Sequence, residues 1–167
     1  MQFYSTNRKT SPVSLREAVV RGLAADRGLF MPEVIRRFPP AFYQNMKEMT
    51  LREISFVVAE AFFGEDVEAG KLKEIVDETL NFDIPLVKVA DNRYSLELFH
   101  GPTLAFKDVG ARFMARLLAY FNKQEGERQV NVLVATSGDT GSAVANGFLD
   151  VPGVKVFVLY PQGKVSE

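Results

Sequence analysis

The chain has 167 residues, 47% of them apolar, with 20 Lys and Arg against 21 Asp and Glu. Charges this balanced exclude a basic field for nucleic acid or an anionic membrane, so an anionic ligand has to be met by a local site. Cysteine is absent, which excludes disulfides, thiolate metal sites and a Cys nucleophile, and the single histidine, His100, makes no metal cluster by itself.

The start, Met-Gln-Phe-Tyr-Ser-Thr, has no charged segment followed by an apolar run, and no stretch approaches the length of a membrane span. A soluble cytoplasmic protein is the expectation. Ser14 and Glu17 have the spacing of a helix capping box, with Leu15, Ala18 and Val19 behind them and Gly22 as the stop. Residues 28–40 are rich in turn formers and read as a surface crossing. Thr50 and Glu53 repeat the capping spacing ahead of Leu51, Ile54, Val57, Val58, Ala61 and Phe62, and Gly64 ends that stripe. Val67, Leu72, Ile75, Val76 and Leu80 mark a third helix. Residues 1–82 therefore read as a helical lobe whose stripes are core packing.

The pattern changes near Pro85. Leu86–Ala90 and residues 94–99 are strand-like runs on either side of a hairpin turn at Asp91-Asn92. A helix is expected from Lys107, with Val109, Phe113, Leu117, Leu118 and Phe121 on one face. Val130–Ala135 is almost continuously apolar, as for a strand buried on both faces. A glycine-rich turn, a helix over residues 140–149 and a strand at Val154–Leu159 follow. This order predicts an α/β region over residues 83–167 with a mostly parallel sheet. Such a sheet would end with a face and an edge uncovered, so the chain reads as a piece of a longer protein.

Two segments carry chemistry. His100-Gly-Pro-Thr-Leu-Ala-Phe-Lys107-Asp108 lies between a strand and a helix start, the edge where ligands sit in open α/β sheets. A helix N-terminus disfavours an ammonium, and Phe106 and Leu104 would add desolvation, so Lys107 is expected to supply a free amine able to attack an aldehyde. Asp108 opposes this unless its carboxylate caps the helix. By position alone, a solvated lysine in a first helical turn is the commoner case. The second segment, Ala135-Thr-Ser-Gly-Asp-Thr-Gly-Ser-Ala143, also follows a strand and opens a helix. Its backbone N–H groups and the hydroxyls of Thr136, Ser137, Thr140 and Ser142 form a cup for an anion. It lacks the lysine of a phosphate loop, and Asp139 has the wrong sign for a bare phosphate, so a carboxylate or one end of a zwitterion suits it better. A capped helix start, with Asp139 or Thr140 as the cap, explains the same residues.

At these positions the sequence resembles the fold type II pyridoxal-phosphate enzymes, the tryptophan synthase β-like family, and within them the threonine synthase branch. Leu96-Glu-Leu-Phe-His-Gly-Pro-Thr-Leu-Ala-Phe-Lys107-Asp108 is similar to that family's cofactor-lysine segment. The loop from Ala135 to Ala143 is similar to its substrate-carboxylate loop, with Asp139 where many relatives have asparagine. Phe3-Tyr-Ser-Thr6, Val13-Ser-Leu-Arg-Glu17 and Gly28-Leu-Phe-Met-Pro32 resemble the N-terminus of the same branch.

The resemblance implies that Lys107 forms a Schiff base with pyridoxal 5′-phosphate, with Phe106, Asp108 and His100 around it. It implies that Thr136, Ser137, Gly138, Asp139 and Thr140 hold the carboxylate of O-phospho-L-homoserine, and that Lys164 approaches a phosphate. The implied products are L-threonine and phosphate. The family's cup for the cofactor phosphate and its hydroxyl facing the pyridine nitrogen lie after this segment, so residues 1–167 alone would show little or no catalysis. A lyase releasing a keto acid, and a non-catalytic anion-binding domain on the same scaffold, stay open beside this reading; a nucleotide-binding domain is disfavoured without a phosphate-loop lysine. Oligomeric state is not encoded in any motif.

Overall fold

The computed structural model describes residues 1–163 except 125, 127 and 137. They form two compact units, Met1–Asp77 and Glu78–Glu167.

The first unit is helical, as the stripes predict, but it also holds a small sheet. Strand β1 (Gln2–Ser5) lies between β2 (Val13–Ser14) and β3 (Phe30–Pro32), antiparallel to both. Register pairs Phe3 with Val13 on one side and with Pro32 on the other. Phe3 and Ser5 point inward, and the buried Ser5 hydroxyl donates to Asp26 at 2.5 Å. A strand whose second inward residue is serine gives no apolar alternation to read, and β3 sits in the segment that looked like a surface crossing.

Helix α1 (Leu15–Arg21) starts at Ser14, whose hydroxyl accepts from the Glu17 N–H at 3.2 Å. Only half of the expected box forms, because Glu17 pairs with Arg21 instead. A short α2 (Pro40–Asn45) and a 3₁₀ turn (Met46–Glu48) lead to α3 (Leu51–Phe63). There the box is complete: Thr50 Oγ1 accepts from the Glu53 N–H at 3.3 Å, and Glu53 Oε2 accepts from the Thr50 N–H at 2.7 Å. Helix α4 (Ala69–Thr79) buries Leu72, Ile75 and Val76, which with Val67 are the stripe expected there.

In the second unit, β4 (Leu86–Ala90) and β5 (Arg93–Leu96) form the expected hairpin, with Asn92 in a left-handed conformation at its turn. This hairpin is a sheet of its own. The expectation that the strand before Lys107 joins the parallel sheet is corrected here. The partner of β5 is β4, and its ladder continues only to Glu97, whose N–H donates to the Pro85 carbonyl at 3.0 Å.

Helix α5 (Lys107–Gln124) begins at the expected residue and buries Ala115, Leu117, Leu118 and Phe121. Strands β6 (Val130–Ala135) and β7 (Val154–Leu159) pair in parallel through α6 (Asp139–Gly147), the βαβ arrangement read from the sequence. β6 is not buried on both faces. Its side chains alternate, with Val134 buried and Leu133 72% exposed.

No helix among the described residues is long and apolar enough to cross a membrane.

Candidate functional site

The approach to Lys107 is a tight knot. Leu104 has a left-handed backbone, and its N–H donates to the Gly101 carbonyl at 3.1 Å. The Asp108 N–H donates to the Ala105 carbonyl at 3.0 Å. The Asp108 carboxylate is 0% exposed and turns back to accept from the Thr103 N–H at 2.9 Å and the Thr103 hydroxyl at 2.6 Å. A side chain at Gly101 would place its Cβ 2.5 Å from Asp108 Oδ2 and 3.0 Å from the Phe82 ring, so only glycine fits against the buried carboxylate. Two charge-assisted hydrogen bonds offset the cost of burying that charge.

This arrangement determines what Lys107 can do. Asp108 is committed to Thr103, and Lys107 has no ion-pair partner among the described residues. Its Nζ lies 4.5 Å from the centroid of the Phe106 ring, over the ring face. Phe106 and Leu104 are 61% and 76% exposed, so the desolvation expected from them is not provided by this segment. His100 lies at the surface, where its Nε2 is 2.8 Å from Glu97 Oε2 and its ring is 4.8 Å from that of Phe99. No hydrogen bond or ion pair joins His100 to Lys107 among the described residues.

The second segment opens α6. The Thr136 N–H donates to the Leu159 carbonyl at 2.9 Å, tying the loop to the end of β7. Thr136 Oγ1 accepts from the Gly138 N–H at 3.2 Å. Gly138 occupies the N-cap position with no side-chain cap, so neither Asp139 nor Thr140 takes the capping role. Both are exposed, and the amides of the first turn are left without a side-chain acceptor among the described residues. Such an end favours an anionic ligand. Ser137 and Lys164 lie outside the described residues.

The two helices that begin at Lys107 and Asp139 are packed together. A Cβ on Gly147 would come within 3.0 Å of the Ala111 backbone, so its absence allows close approach one turn past Lys107. Gly101 and Thr103 fix the turn ahead of Lys107 and Arg112 anchors α5, roles that sequence reasoning passed over. Arg112 donates to the Glu78 carbonyl at 2.7 Å, to Asn81 Oδ1 at 2.9 Å and to the Thr79 carbonyl at 3.3 Å, tying residues 78–81 of the second unit to α5. Burial lowers its guanidinium below the usual arginine range, Arg116 adds to this, and Asp108 and Glu78 oppose it.

Residues 2–80 match the family described as Threonine synthase N terminus. The chain is 43% identical to the threonine synthase of Serratia marcescens over 166 residues, and 40% identical to that of Escherichia coli K12 over 166. Each alignment covers 99% of this chain and 38% of the relative. The crystal structure of threonine synthase from Escherichia coli superposes with a TM-score of 0.88 at 40% identity, covering 99% of this chain and 38% of that one. The threonine synthase from Brucella melitensis, described as PLP bound, superposes with a TM-score of 0.92 at 35% identity, covering 99% of this chain and 37% of that one. Along almost its whole length the chain is similar to the N-terminal part of these threonine synthases. In the threonine synthase frame, the match extends past residue 80 through both candidate segments, Lys107 and Thr136–Thr140 included, because 99% of the chain is covered. The chain spans 38% of the length of these threonine synthase relatives.

Proposed function

We propose that this chain is the N-terminal part of a pyridoxal-phosphate-dependent threonine synthase, with Lys107 as the amine that carries the cofactor. The reaction is conversion of O-phospho-L-homoserine and water to L-threonine and phosphate, in the cytoplasm, on a small molecule with no nucleic acid or membrane partner. In this reading residues 83–167 supply the cofactor-binding part and residues 1–82 a supporting region.

One observation supports it most directly. The acid next to Lys107 in sequence is buried and bonded to Thr103, so the amine is left out of any ion pair among the described residues. A lysine in a salt bridge has its amine occupied by a carboxylate, whereas an unpaired one is left accessible to an aldehyde. That donor set fits pyridoxal phosphate, with the exposed Phe106 ring beside Nζ offering a flat surface to a planar group.

When bound, the cofactor's conjugated ring provides the sink for electrons released at the substrate. The chain's own residues do the rest. Thr136, Ser137, Gly138, Asp139 and Thr140 hold the substrate carboxylate at the uncapped start of α6 and so orient its Cα–H bond. Lys107, once freed, moves the proton at Cα. Asp108 supports the turn ahead of Lys107, His100 is a candidate cofactor contact from its place beside Phe99, and Lys164 is a candidate phosphate contact.

The test is product analysis of the full-length protein with O-phospho-L-homoserine. L-threonine and phosphate in equal amounts are expected, with both lost in K107A. Phosphate released with a keto acid in place of threonine would overturn the synthase reading.

A further inference from the structure

The first unit contains a cleft that the proposed reaction does not use. It measures about 370 Å³ and is lined by Tyr4, Arg8, Thr10, Pro12 and Glu33. β1 supplies Tyr4, and Glu33 follows β3, where its N–H donates to the Gln2 carbonyl at 3.0 Å. Arg8 stands in a left-handed backbone conformation, unusual outside glycine, and its N–H donates to the Ser5 carbonyl at 2.8 Å. That turn lays the guanidinium over the Tyr4 ring, 4.5 Å from its centroid.

The charged groups around this cleft are free of ion pairs among the described residues. Neither Arg8 nor Glu33 makes an ion pair among the described residues, with each other or with any other group. Thr10 Oγ1 is buried and has no hydrogen-bond partner. A bare anion would be repelled by Glu33 and a bare cation by Arg8, so the pair selects a molecule with both charges. The volume suits a small ligand, and the stacked Arg8 keeps its N–H edge for a carboxylate.

We propose that this cleft binds a small zwitterionic α-amino acid. Its carboxylate lies on Arg8, its ammonium on Glu33, and its carbon skeleton against Tyr4 and Pro12. The cleft shares no residue with the segments around Lys107 and Thr136.

The test is calorimetric titration of the full chain with L-serine as the probe, alongside acetate and ethylamine as its two halves. Saturable binding of L-serine is expected, weakened at least about tenfold in R8Q and in E33Q, because each loses one charge-assisted contact. K107A should bind as the unaltered protein does, which separates this site from the proposed catalytic one. Arg8 and Glu33 are both exposed, so the variants should melt as the parent does. As a second readout, the Tyr4 ring resonances should shift during the titration. No saturable binding, acetate binding as tightly as L-serine, unchanged affinity in both variants, or loss of binding in K107A would overturn the proposal.

Discussion

At the scale of single residues, the decisive feature is a carboxylate that does not do what its position suggests. Asp108 follows Lys107 in sequence, and a sequence reader has to weigh it as the lysine's counter-ion. Its burial and its bonds to Thr103 remove it from that role. T103V, which takes away one hydrogen bond to a buried charge, should cost about 2 kcal/mol in urea denaturation, and a loss below about 0.5 would show that the bond is weak. G101A should cost about 1–3 kcal/mol by overpacking, since its Cβ would fall on Asp108 and Phe82. Asp26 offers a pH test in the first unit. The Ser5 hydroxyl, then the Gly28 and Lys9 amides, hold its carboxyl below the usual range, with partial burial opposing. A lowered folded-state value means that stability is present above the ordinary carboxylate range and lost as pH falls through the folded value. S5A should therefore flatten the acid limb of a stability-versus-pH curve, and an unchanged limb would contradict this cause.

At the scale of elements, the helices were legible and the short strands were not. Thr50 with Glu53 announces α3, and the structure forms both halves of that box. The same spacing at Ser14 and Glu17 announces α1, but Arg21 takes Glu17 away, so only one half forms. T50A should lower stability by about 1 kcal/mol and S14A by less, read from thermal melting of each variant. Equal losses would mean that the second half of the box adds nothing. Strands β1 to β3 escaped notice because two to four residues are too few for a period to emerge, and because Ser5 takes an inward position where an apolar residue would be read. The hairpin was legible from Asp91-Asn92, yet its membership in the parallel sheet was misread. Chain order alone does not reveal that β5 finds its partner in β4 rather than β6.

At the scale of the molecule, the site was legible as motif and illegible as support. The lysine segment and the carboxylate loop stand out as continuous runs of residues. Gly101, Thr103 and Arg112 do not, because each matters only through a partner that folding brings near. Leu86, Val89, Leu133 and Leu159 remain exposed on the strands, and the chain spans 38% of its relatives. Residues 1–167 alone should accordingly take up pyridoxal phosphate weakly and turn over little substrate. Equal cofactor uptake and turnover by residues 1–167 and by a longer chain would contradict this.

Lys107 is the residue proposed to hold the cofactor. The most direct measurement is borohydride reduction of the full-length protein after addition of pyridoxal phosphate, followed by peptide mass mapping. One stoichiometric pyridoxyl label on Lys107, absent in K107A, is expected. A label on another lysine, with Lys107 unmodified, would contradict it.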